Sequence, residues 1–470
     1  MELYITELSK YVITFLMILY TYECFAVFRY KDEEDRSGIY TRQNILMLLI
    51  HFSCFMVICF ETGEMSYLFF YAFQQIVLFA TAVLFHMIYP RANRLIVNNM
   101  CMLLSIGFVI LTRVSYEKAV KQFVIVSFSI AVTMLIPYFV HNLKFLKSLT
   151  WVYALVGIGA LAAVLILGTA TNGSKISYSI AGVTFQPSEI VKIIFVFFVA
   201  SALYESTSFF EVFTTAVVAG IHVIILVISK DLGSALIFFI VYVFMVFVAT
   251  KNPLYLLAGA TGGSCAAIIA YKVFSHVQVR VQAWSDPWSQ IDSAGYQITQ
   301  SLFAISSGGW FGLGLFQGTP ESIPFVEADF IFSAVAEELG ILFSMCMILV
   351  CISCFIMFMN ISMKLYDRFY QLIAFGLGVT YIFQVFLTIG GGSKFIPLTG
   401  VTLPLISYGG SSVLTTLIMF TIIEGLCMIR QDEEKEMLRA EKKKLRNLQK
   451  TQNRKRIEMT YIEDLDDSEE

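Results

Sequence analysis

Four carboxylates in the segment FVEADFIFSAVAEELG, residues 325–340, have a spacing that suits proton chemistry. Asp329 lies where a polar stretch changes to an apolar, helix-like one, and Glu337 and Glu338 follow two helical turns later. At 1.5 Å per residue, Glu337 would lie roughly 12 Å from Asp329 along a helix. Carboxylates at that depth in an apolar segment are protonated or face a polar cavity. The pattern predicts a site that opens at Asp329, although capping of the helix would also place an Asp there.

A second group of polar residues lies in QPSEIVK, residues 186–192. Proline suits the first turn of a helix. Glu189 and Lys192 are three residues apart, so they share a helix face and can pair. One interpretation is an ion pair that anchors the start of a helix. The other is a substrate-binding cluster of Gln186, Glu189 and Lys192, in which the cation meets an anionic headgroup.

Two glycine-containing turns complete the set of polar segments. In KDLGS, Asp231 can cap the helix that follows. In GVTLPLISYGGSS, residues 400–412, the glycines allow close backbone approach, and the N–H groups at a helix start can bind an anion. In this segment, which we call the glycine-rich loop, Ser407, Gly409 and Gly410 are candidate substrate-binding residues. A loop that only caps a helix is the alternative.

The composition shows what kind of chain must position these residues. Apolar residues make up 57% of the 470 residues and charged residues 14%, against roughly 45–50% and about a quarter in soluble domains. Moreover, 23 of the 67 charged residues lie in the last 41 positions. This composition excludes a water-soluble enzyme and a disordered chain, and a net charge of −3 offers no basic face for nucleic acid. The sequence therefore predicts an all-α polytopic membrane protein.

Apolar runs of about 20 residues, the length that crosses ~30 Å of hydrocarbon, indicate about thirteen transmembrane helices. They centre on residues 11–28, 44–60, 66–88, 98–112, 122–140, 150–169, 188–204, 212–229, 234–250, 253–273, 331–360, 370–389 and 411–429. The first run lacks the basic segment and cleavage site of a signal peptide, so we expect it to be retained. Most of the nine cysteines lie inside these runs as small apolar residues.

The positions of basic residues predict the orientation. Those in alternate loops fall on one side, which we take as cytoplasmic together with the charged tail, residues 431–470. They are Arg29, Lys31, Arg36, Arg42, Arg91, Arg94, Lys144, Lys147, Lys364 and Arg368. Two loops do not follow this bias, since 113–121 carries three basic residues on the outer side and 204–211 carries none on the cytoplasmic side.

Three long, glycine-rich segments then lie outside the membrane: 169–187, 274–329 and 390–410. The loop 274–329 joins the tenth and eleventh predicted helices and is long enough to suggest a function. Its apolar stretch 298–307 is too short to cross a bilayer, so we expect a half-inserted or interfacial helix. Because the cytoplasmic loops are short, any chemistry is expected on the outer face.

Taken together, the motifs resemble those of the SEDS family, the polytopic glycosyltransferases FtsW, RodA and SpoVE. The resemblance covers about residues 98–430 and is carried, in order, by QPSE with Lys192, DLGSAL, the run Gly295–Ser301, GGWFGLGL, ADFIFSAVAEELG and GVTLPLISYGGSS. The family's ten spans would match the fourth to thirteenth spans here. Residues 1–97 would then be an N-terminal extension of about three helices.

The resemblance implies a peptidoglycan glycosyltransferase of the bacterial cytoplasmic membrane. Such an enzyme polymerises lipid II at the outer face and releases undecaprenyl pyrophosphate, in division, elongation or sporulation. Asp329 matches the family's essential aspartate and would take a proton from the acceptor sugar hydroxyl. Lys192 and Arg280 match family positions and would stabilise the departing pyrophosphate. Lys394, near the glycine-rich loop, is our own addition to these cations, and Glu337 is included in the substrate site.

Partners and cofactors are also implied only by the resemblance. The substrates would be lipid II and the nascent glycan strand, and the partner a class B penicillin-binding transpeptidase. A divalent cation, Mg²⁺ or Mn²⁺, would suit phosphate chemistry, although the sequence shows no cluster of metal ligands.

The alternative function is a lipid II flippase or another polytopic carrier. Many spans with carboxylates inside them also suit ion-coupled carriers. Against this, we find no pair of broken spans in corresponding halves of the chain, and the polar clusters lie on one side. An enzyme is therefore the favoured interpretation.

Overall fold

Helices form most of the chain in the computed structural model, which describes residues 2–30, 33–171, 174–180 and 183–466. The helices are α1 (Glu2–Ala26), α2 (Glu33–Thr62), α3 (Met65–Ile88), α4 (Arg94–Val114), α5 (Tyr116–Thr133), α6 (Ile136–Asn142), α7 (Thr150–Leu167), α8 (Pro187–Leu203), α9 (Phe209–Ile228), α10 (Leu232–Thr250), α11 (Pro253–Val273), α12 (Ser275–Ser285), α13 (Tyr296–Gly308), α14 (Ile331–Lys364), α15 (Arg368–Gly392) and α16 (Gly410–Asp466). Lys31, used above to predict the orientation, lies outside the described residues.

The number of helices able to span a membrane agrees with the apolar runs. Eleven helical segments of the described chain are long and apolar enough to cross a bilayer. The two other predicted spans, 11–28 and 188–204, correspond to α1 and α8, of 25 and 17 residues. The prediction of an all-α polytopic membrane protein is confirmed. The short apolar stretch 298–307 forms α13, between α11 and α14.

A small antiparallel sheet lies in the external segment 169–187, where the sequence predicted no strand. Its strands are β1 (Thr169–Thr171), β2 (Ser174–Ile180) and β3 (Val183–Phe185), and β2 pairs with both neighbours. Alternating β-branched and aromatic residues in KISYSI favour extended backbone. The search for long apolar runs could not detect strands this short. The sheet leads the chain directly into Gln186 and α8.

The N-terminal helices are an integral part of the bundle. Helix α4 is central, with Leu95–Thr112 all buried; α2 and α3 pack against it, and α1 packs against α14. Polar side chains pair within this interface. Tyr20 Oη donates to Asn99 Oδ1 at 3.0 Å, and Asn98 Nδ2 donates to Gln43 Oε1 at 3.0 Å. Such hydrogen bonds help to hold helices together in a membrane, where lipid competes for apolar surface.

Helix α14 is interrupted at Gly340, whose φ of 86° and ψ of 168° are not helical. The loop 309–314, part of GGWFGLGL, bonds to the backbone on both sides of this break. Three bonds of 2.9 Å run from the N–H groups of Leu313, Gly314 and Ile341 to the carbonyls of Glu337, Glu338 and Gly309, respectively. They pair groups that the interrupted helix leaves unpaired. The sequence predicted an unbroken span here, because the apolar run continues past the break.

We expect Gly312→Ala to destabilise the folded protein more than Gly309→Ala. Both glycines have positive φ, 82° and 57°, which costs another residue on the order of 1–3 kcal/mol. A Cβ on Gly312 would also lie 2.2 Å from the Glu338 carbonyl oxygen, whereas no described atom lies within 4 Å of a Cβ on Gly309. Thermal unfolding in detergent should give a lower Tm for Gly312→Ala. If both variants lower the Tm equally, the loop 309–314 can move away from the Glu338 carbonyl without a loss of stability.

Candidate active site

Two residues of the glycine-rich loop hold the backbone immediately before Asp329. The Tyr408 N–H donates to the Glu327 carbonyl at 2.7 Å, and Ser407 Oγ donates to the Ala328 carbonyl at 2.5 Å. The hydroxyl of Ser407 is thus engaged with the backbone that carries Asp329. The glycine-rich loop and the segment before α14 therefore form one unit, although Ala328 and Ser407 are 79 residues apart in the chain.

Asp329 and Arg280 meet at Gly400. A Cβ added to Gly400 would lie 3.7 Å from Asp329 Oδ2 and 3.9 Å from Arg280 Nη2, so both side chains border this glycine. Arg280 is further held by a hydrogen bond of 3.1 Å from Nη1 to the Leu398 carbonyl. Asp329 and Arg280 are both partly buried and keep some access to solvent. The structure thus brings together two residues that the resemblance assigned to one reaction.

The electrostatics of this pair suit proton transfer. Burial raises the pKa of Asp329 to about 6; the Arg280 guanidinium opposes this rise, and the negative charge of Glu327 adds to it. Burial also lowers the pKa of Arg280, against the effect of Asp329 and Asp231. With a pKa of about 6, Asp329 is mostly ionised at neutral pH, and its basicity is close to that of an effective general base.

A cavity of about 610 Å³ opens beside Gly400. It lies between α5, the start of α8, the turn before α10 and the glycine-rich loop. Of the predicted substrate-binding residues, Gln186, Glu189, Gly409 and Gly410 line it. The other lining residues include Lys121, Asp231, Tyr408 and, on the apolar side formed by α5, Val120, Val124 and Ile125. The cavity therefore has a polar floor and one apolar wall.

Lys192 lies behind this cavity and does not line it. Its side chain is 1% exposed, and Nζ contacts Glu189 Oε2 at 2.9 Å and Gln384 Oε1 at 2.8 Å. The pairing of Glu189 with Lys192 predicted from their spacing is confirmed. Gln384 in turn donates to the Thr402 carbonyl at 3.1 Å. The ammonium of Lys192 therefore supports the cavity wall through Glu189 and Gln384.

Asp231 has two sets of partners. Its Oδ1 accepts the Ser234 N–H at 3.1 Å, which confirms the predicted cap of α10. Its Oδ2 accepts hydrogen bonds from Gln186 Nε2 at 3.1 Å and from Ser188 Oγ at 3.0 Å. Asp231 thus links the start of α8 to the start of α10 on the cavity floor.

Two of the predicted substrate-binding residues lie away from this cavity. The Lys394 carbonyl accepts the Trp284 Nε1–H at 3.1 Å, and the Lys394 charge acts on Asp286. Glu337 Oε1 accepts the Thr319 N–H at 3.0 Å. Glu337 therefore faces the loop before α14 and not the cavity beside Asp329. This loop packs against α14 where the helix breaks at Gly340, next to Glu337.

The basic residues of the loop 113–121 are each paired with a carboxylate. Arg113 pairs with Glu321 and Glu338, Lys118 with Glu327, and Lys121 with Glu117. The pairs leave this segment without an excess of positive charge. This explains why three basic residues on the predicted outer side need not reverse the orientation.

Three residues around the site did not enter the predicted set. Gln122 Nε2 donates to the Ser407 carbonyl at 3.1 Å, and its Oε1 accepts the Gly409 N–H at 3.3 Å. Gln384 holds Lys192, and Lys121 places a cation on the cavity wall. Amides such as Gln122 and Gln384 inside apolar runs are costly unless they are hydrogen-bonded, and this is the signal by which sequence reasoning could have found them.

Possible metal ligands near the cavity are carboxylates. Glu189 and Asp231 line it, and Asp329 borders Gly400. In the part of the chain that the structure describes, no three His, Cys, Asp or Glu side chains are grouped so that they could hold a metal ion. The use of a divalent cation stays a prediction.

Comparison with known proteins identifies the family. The sequence model of the cell cycle protein family FtsW/RodA/SpoVE matches residues 93–432. The chain belongs to this family. It is 30% identical to the peptidoglycan glycosyltransferase RodA of Mycobacterium tuberculosis (strain H37Rv) over 369 residues, or 71% of this chain and 77% of RodA. It is also 30% identical to the probable peptidoglycan glycosyltransferase FtsW of Bacillus subtilis (strain 168), over 63% of this chain and 79% of FtsW.

Solved structures share the fold of this FtsW/RodA/SpoVE member. A chain from a peptidoglycan synthase complex, described for its coordination of polymerization and crosslinking, superposes with a TM-score of 0.63 at 23% identity, covering 72% of this chain and 98% of that one. The crystal structure of Thermus thermophilus RodA gives a TM-score of 0.52 at 22% identity, covering 72% and 97%. The membrane helices and the family together identify a multi-pass protein of the cytoplasmic membrane.

Proposed function

We propose that this protein is a peptidoglycan glycosyltransferase that polymerises lipid II into glycan strands at the outer face of the cytoplasmic membrane. One observation carries the proposal: the partly buried Asp329, with its pKa raised to about 6, meets the Arg280 guanidinium at Gly400, and Gly400 itself lines the cavity. A base and a cation thus lie together next to the cavity. Related proteins named as peptidoglycan glycosyltransferases support this assignment.

In the proposed reaction Asp329 is the general base. Its carboxylate takes the proton of an acceptor sugar hydroxyl while that oxygen attacks the anomeric carbon of the donor sugar. The bond from the anomeric carbon to the pyrophosphate oxygen breaks on the opposite side, with inversion, and undecaprenyl pyrophosphate leaves. In this proposal Arg280 and Lys121, with the N–H groups of the glycine-rich loop, stabilise the charge of the leaving group.

The apolar side of the cavity suits the lipid part of the substrate. Val120, Val124 and Ile125 of α5 line it, and Val124 is 61% exposed toward the outside of the bundle. A polyprenyl chain lying along α5 would stay in the membrane while its headgroup enters the cavity.

Polymer formation from labelled lipid II by the purified protein tests the proposal, with gel electrophoresis of the products. The carrier alternative predicts a different result, namely movement of lipid II across proteoliposomes with no polymer and no effect of Asp329→Asn. In the same polymerisation assay, chelation with EDTA and readdition of Mg²⁺ or Mn²⁺ tests the divalent cation. We propose that a divalent cation assists the reaction. Activity should then fall on chelation and return when either metal is added; unchanged activity after chelation would contradict this proposal.

We expect Arg280→Met to shift the acidic limb of the pH–rate profile to higher pH. The proposed base must be ionised, so kcat/KM of the wild type should rise with pH through about 6, the pKa of Asp329. Because Arg280 lowers this pKa, its loss should raise the pKa and move the limb upward. Glu327→Gln should move it downward, since Glu327 raises the pKa. Lys272→Met, at the end of α11, serves as a control, and an unshifted limb in Arg280→Met would contradict the assignment.

We further propose a class B penicillin-binding transpeptidase as the partner. The support is the similar fold of a chain in a complex that coordinates polymerization with crosslinking. Co-expression with the transpeptidases of the same organism, followed by co-purification in mild detergent, tests this proposal. Recovery of this chain without any transpeptidase would argue against it.

A further inference from the structure

Two adjacent cavities lie where the N-terminal helices meet the core of the bundle. One, which we call the polar cavity, has a volume of about 270 Å³; the other, the apolar cavity, about 240 Å³. Tyr40, Ala92 and Arg94 line both of them. Arg430 of α16 also borders the polar cavity, and it lies about 30 Å along that helix from Gly410 of the candidate active site. The cavities are therefore at the opposite end of the bundle, which the basic loops predict to be cytoplasmic.

Three arginines converge on the polar cavity: Arg36 of α2, Arg94 of α4 and Arg430 of α16. Each is partly buried. Among the described side chains, no carboxylate lies within 4.0 Å of any of the three guanidinium groups. Arg430 Nε is buried and has no hydrogen-bond partner among the described residues. Partly buried guanidinium groups without a counter-ion indicate a site for an anion.

The hydrogen bonds that the arginines do make leave donors free to face the cavity. Arg36 Nε donates to the Tyr30 carbonyl at 2.8 Å. Arg94 donates from Nη2 to His86 Nε2 at 2.5 Å and from Nη1 to Ser37 Oγ at 3.4 Å. Since a guanidinium has five N–H donors, Arg36 and Arg94 retain donors beyond these contacts.

Two acidic residues of α16 near the polar cavity have other partners. Glu424 Oε2 accepts the Asn93 N–H at 2.6 Å, although the Glu424 charge also acts on Arg430. Asp432 pairs with Arg91 at 2.6 Å and with His141 at 2.7 Å. The described residues that line the polar cavity include three arginines and no Asp or Glu, so its lining is positively charged.

The apolar cavity continues from the polar one between α2, α3 and α4. Its walls include Met47, Leu48, Phe79, Val83 and Val97. Phe79 and Val83 are 57% and 37% exposed on the outside of the bundle. A hydrocarbon chain could enter this cavity sideways from the bilayer. A site of this shape, apolar inside the membrane and cationic at its edge, matches an amphiphile with a phosphate group.

We propose that the two cavities bind one anionic phospholipid of the cytoplasmic leaflet. Its phosphate lies between Arg36, Arg94 and Arg430, and one acyl chain fills the apolar cavity. Basic pockets between membrane helices on this side are typical of anionic headgroup sites, and arginine can donate two parallel hydrogen bonds to a phosphate. Arg36 belongs to α2, before the residues 93–432 that the family model matches, whereas Arg94 of α4 and Arg430 of α16 lie within them, so the lipid joins the two parts. This inference does not depend on the proposed function.

Titration of the purified full-length protein with dioleoyl phosphatidylglycerol tests the site, with binding followed by native mass spectrometry and Tm. We expect a saturable complex and a higher Tm for the wild type. The variant Arg36→Gln/Arg94→Gln/Arg430→Gln should bind on the order of 100-fold more weakly, because each basic residue contributes about 1 kcal/mol to the attraction of anionic lipid. Ala82→Phe, which narrows the apolar cavity and keeps all three arginines, should also weaken binding.

Matched controls separate this site from general attraction. Arg439→Gln/Lys442→Gln/Lys443→Gln removes the same charge from the tail and should leave binding unchanged. Dioleoyl phosphatidylcholine and inorganic phosphate should not raise the Tm. The proposal is overturned if the arginine variant binds phosphatidylglycerol as tightly as the wild type, or if the tail variant loses as much affinity. A Tm rise with phosphate alone would identify a free-anion site and overturn the lipid assignment.

Discussion

Asp329→Asn is expected to lower the rate of lipid II polymerisation by about 10²- to 10⁴-fold, the usual contribution of a general base. Asparagine keeps the size of the side chain but cannot take a proton from the acceptor sugar. The Arg280 guanidinium and the cavity remain, so substrate binding should change much less than turnover. Polymer yield from labelled lipid II, measured over time at saturating substrate, gives the effect on kcat.

Stability provides a check that the loss is chemical and not structural. The native pKa of Asp329, about 6, is above its ordinary value near 4. The folded state therefore binds this proton more tightly than the unfolded state, and the stability due to this group falls as pH rises from about 4 to about 6. At pH 7.5, Asp329→Asn removes an unfavourable buried charge, so its Tm should equal or exceed that of the wild type.

A matched control comes from the same loop. Asp292 is exposed and does not line the cavity, so Asp292→Asn should leave polymerisation unchanged. If Asp329→Asn retains wild-type activity, Asp329 is not the base. If both variants lose activity, the loop and not the carboxylate is responsible.

Arg113→Met is expected to cost about 3–5 kcal/mol of the free energy of unfolding, the usual effect of breaking a buried ion pair. Arg113 Nε donates to Glu338 Oε1 at 2.8 Å, and these side chains are only 7% and 1% exposed. Arg113 Nη2 also donates to the Gly318 carbonyl at 3.1 Å, and the guanidinium lies 4.4 Å from the centre of the Phe316 ring. Methionine removes all these contacts and leaves Glu338 buried without its cation.

An exposed ion pair provides the comparison. Arg91 pairs with Asp432, and their side chains are 46% and 36% exposed, so Arg91→Met should cost no more than about 1 kcal/mol. The double variant Arg113→Met/Glu338→Met should recover part of the loss, because it leaves no unpaired buried charge. Chemical unfolding in detergent measures all three variants. Equal costs for Arg113→Met and Arg91→Met would contradict the buried pair as a main source of stability in this region.

Features that depend on nearby residues could be predicted from the sequence. The spans follow from their apolar length, because a backbone in hydrocarbon must satisfy its own hydrogen bonds. The Glu189–Lys192 pair and the Asp231 cap of α10 follow from spacings of three residues. Asp329 could be identified by its place between a polar loop and an apolar helix.

Features that depend on distant residues could not be predicted in this way. Asp329 and Arg280 were assigned to one reaction only through the family resemblance, and no local spacing predicts that they meet at Gly400. From its residue type, Lys192 could be a cation free to meet the substrate. In the structure it donates a hydrogen bond to Gln384, which lies 192 residues later in the chain. Glu337 was assigned to the substrate site because it lies two helical turns after Asp329 in an apolar segment. In the structure it accepts the Thr319 N–H in the loop before α14.

Composition and local spacing thus determined the number of spans, their nature and the chemistry available at one end of the bundle. Tertiary packing alone decided which polar groups face the cavity, where α14 breaks, and how the N-terminal helices join the core. The physical reason is that lipid and neighbouring helices are equally apolar. Hydrophobicity therefore identifies a membrane helix but does not distinguish the face that contacts lipid from the face that contacts protein.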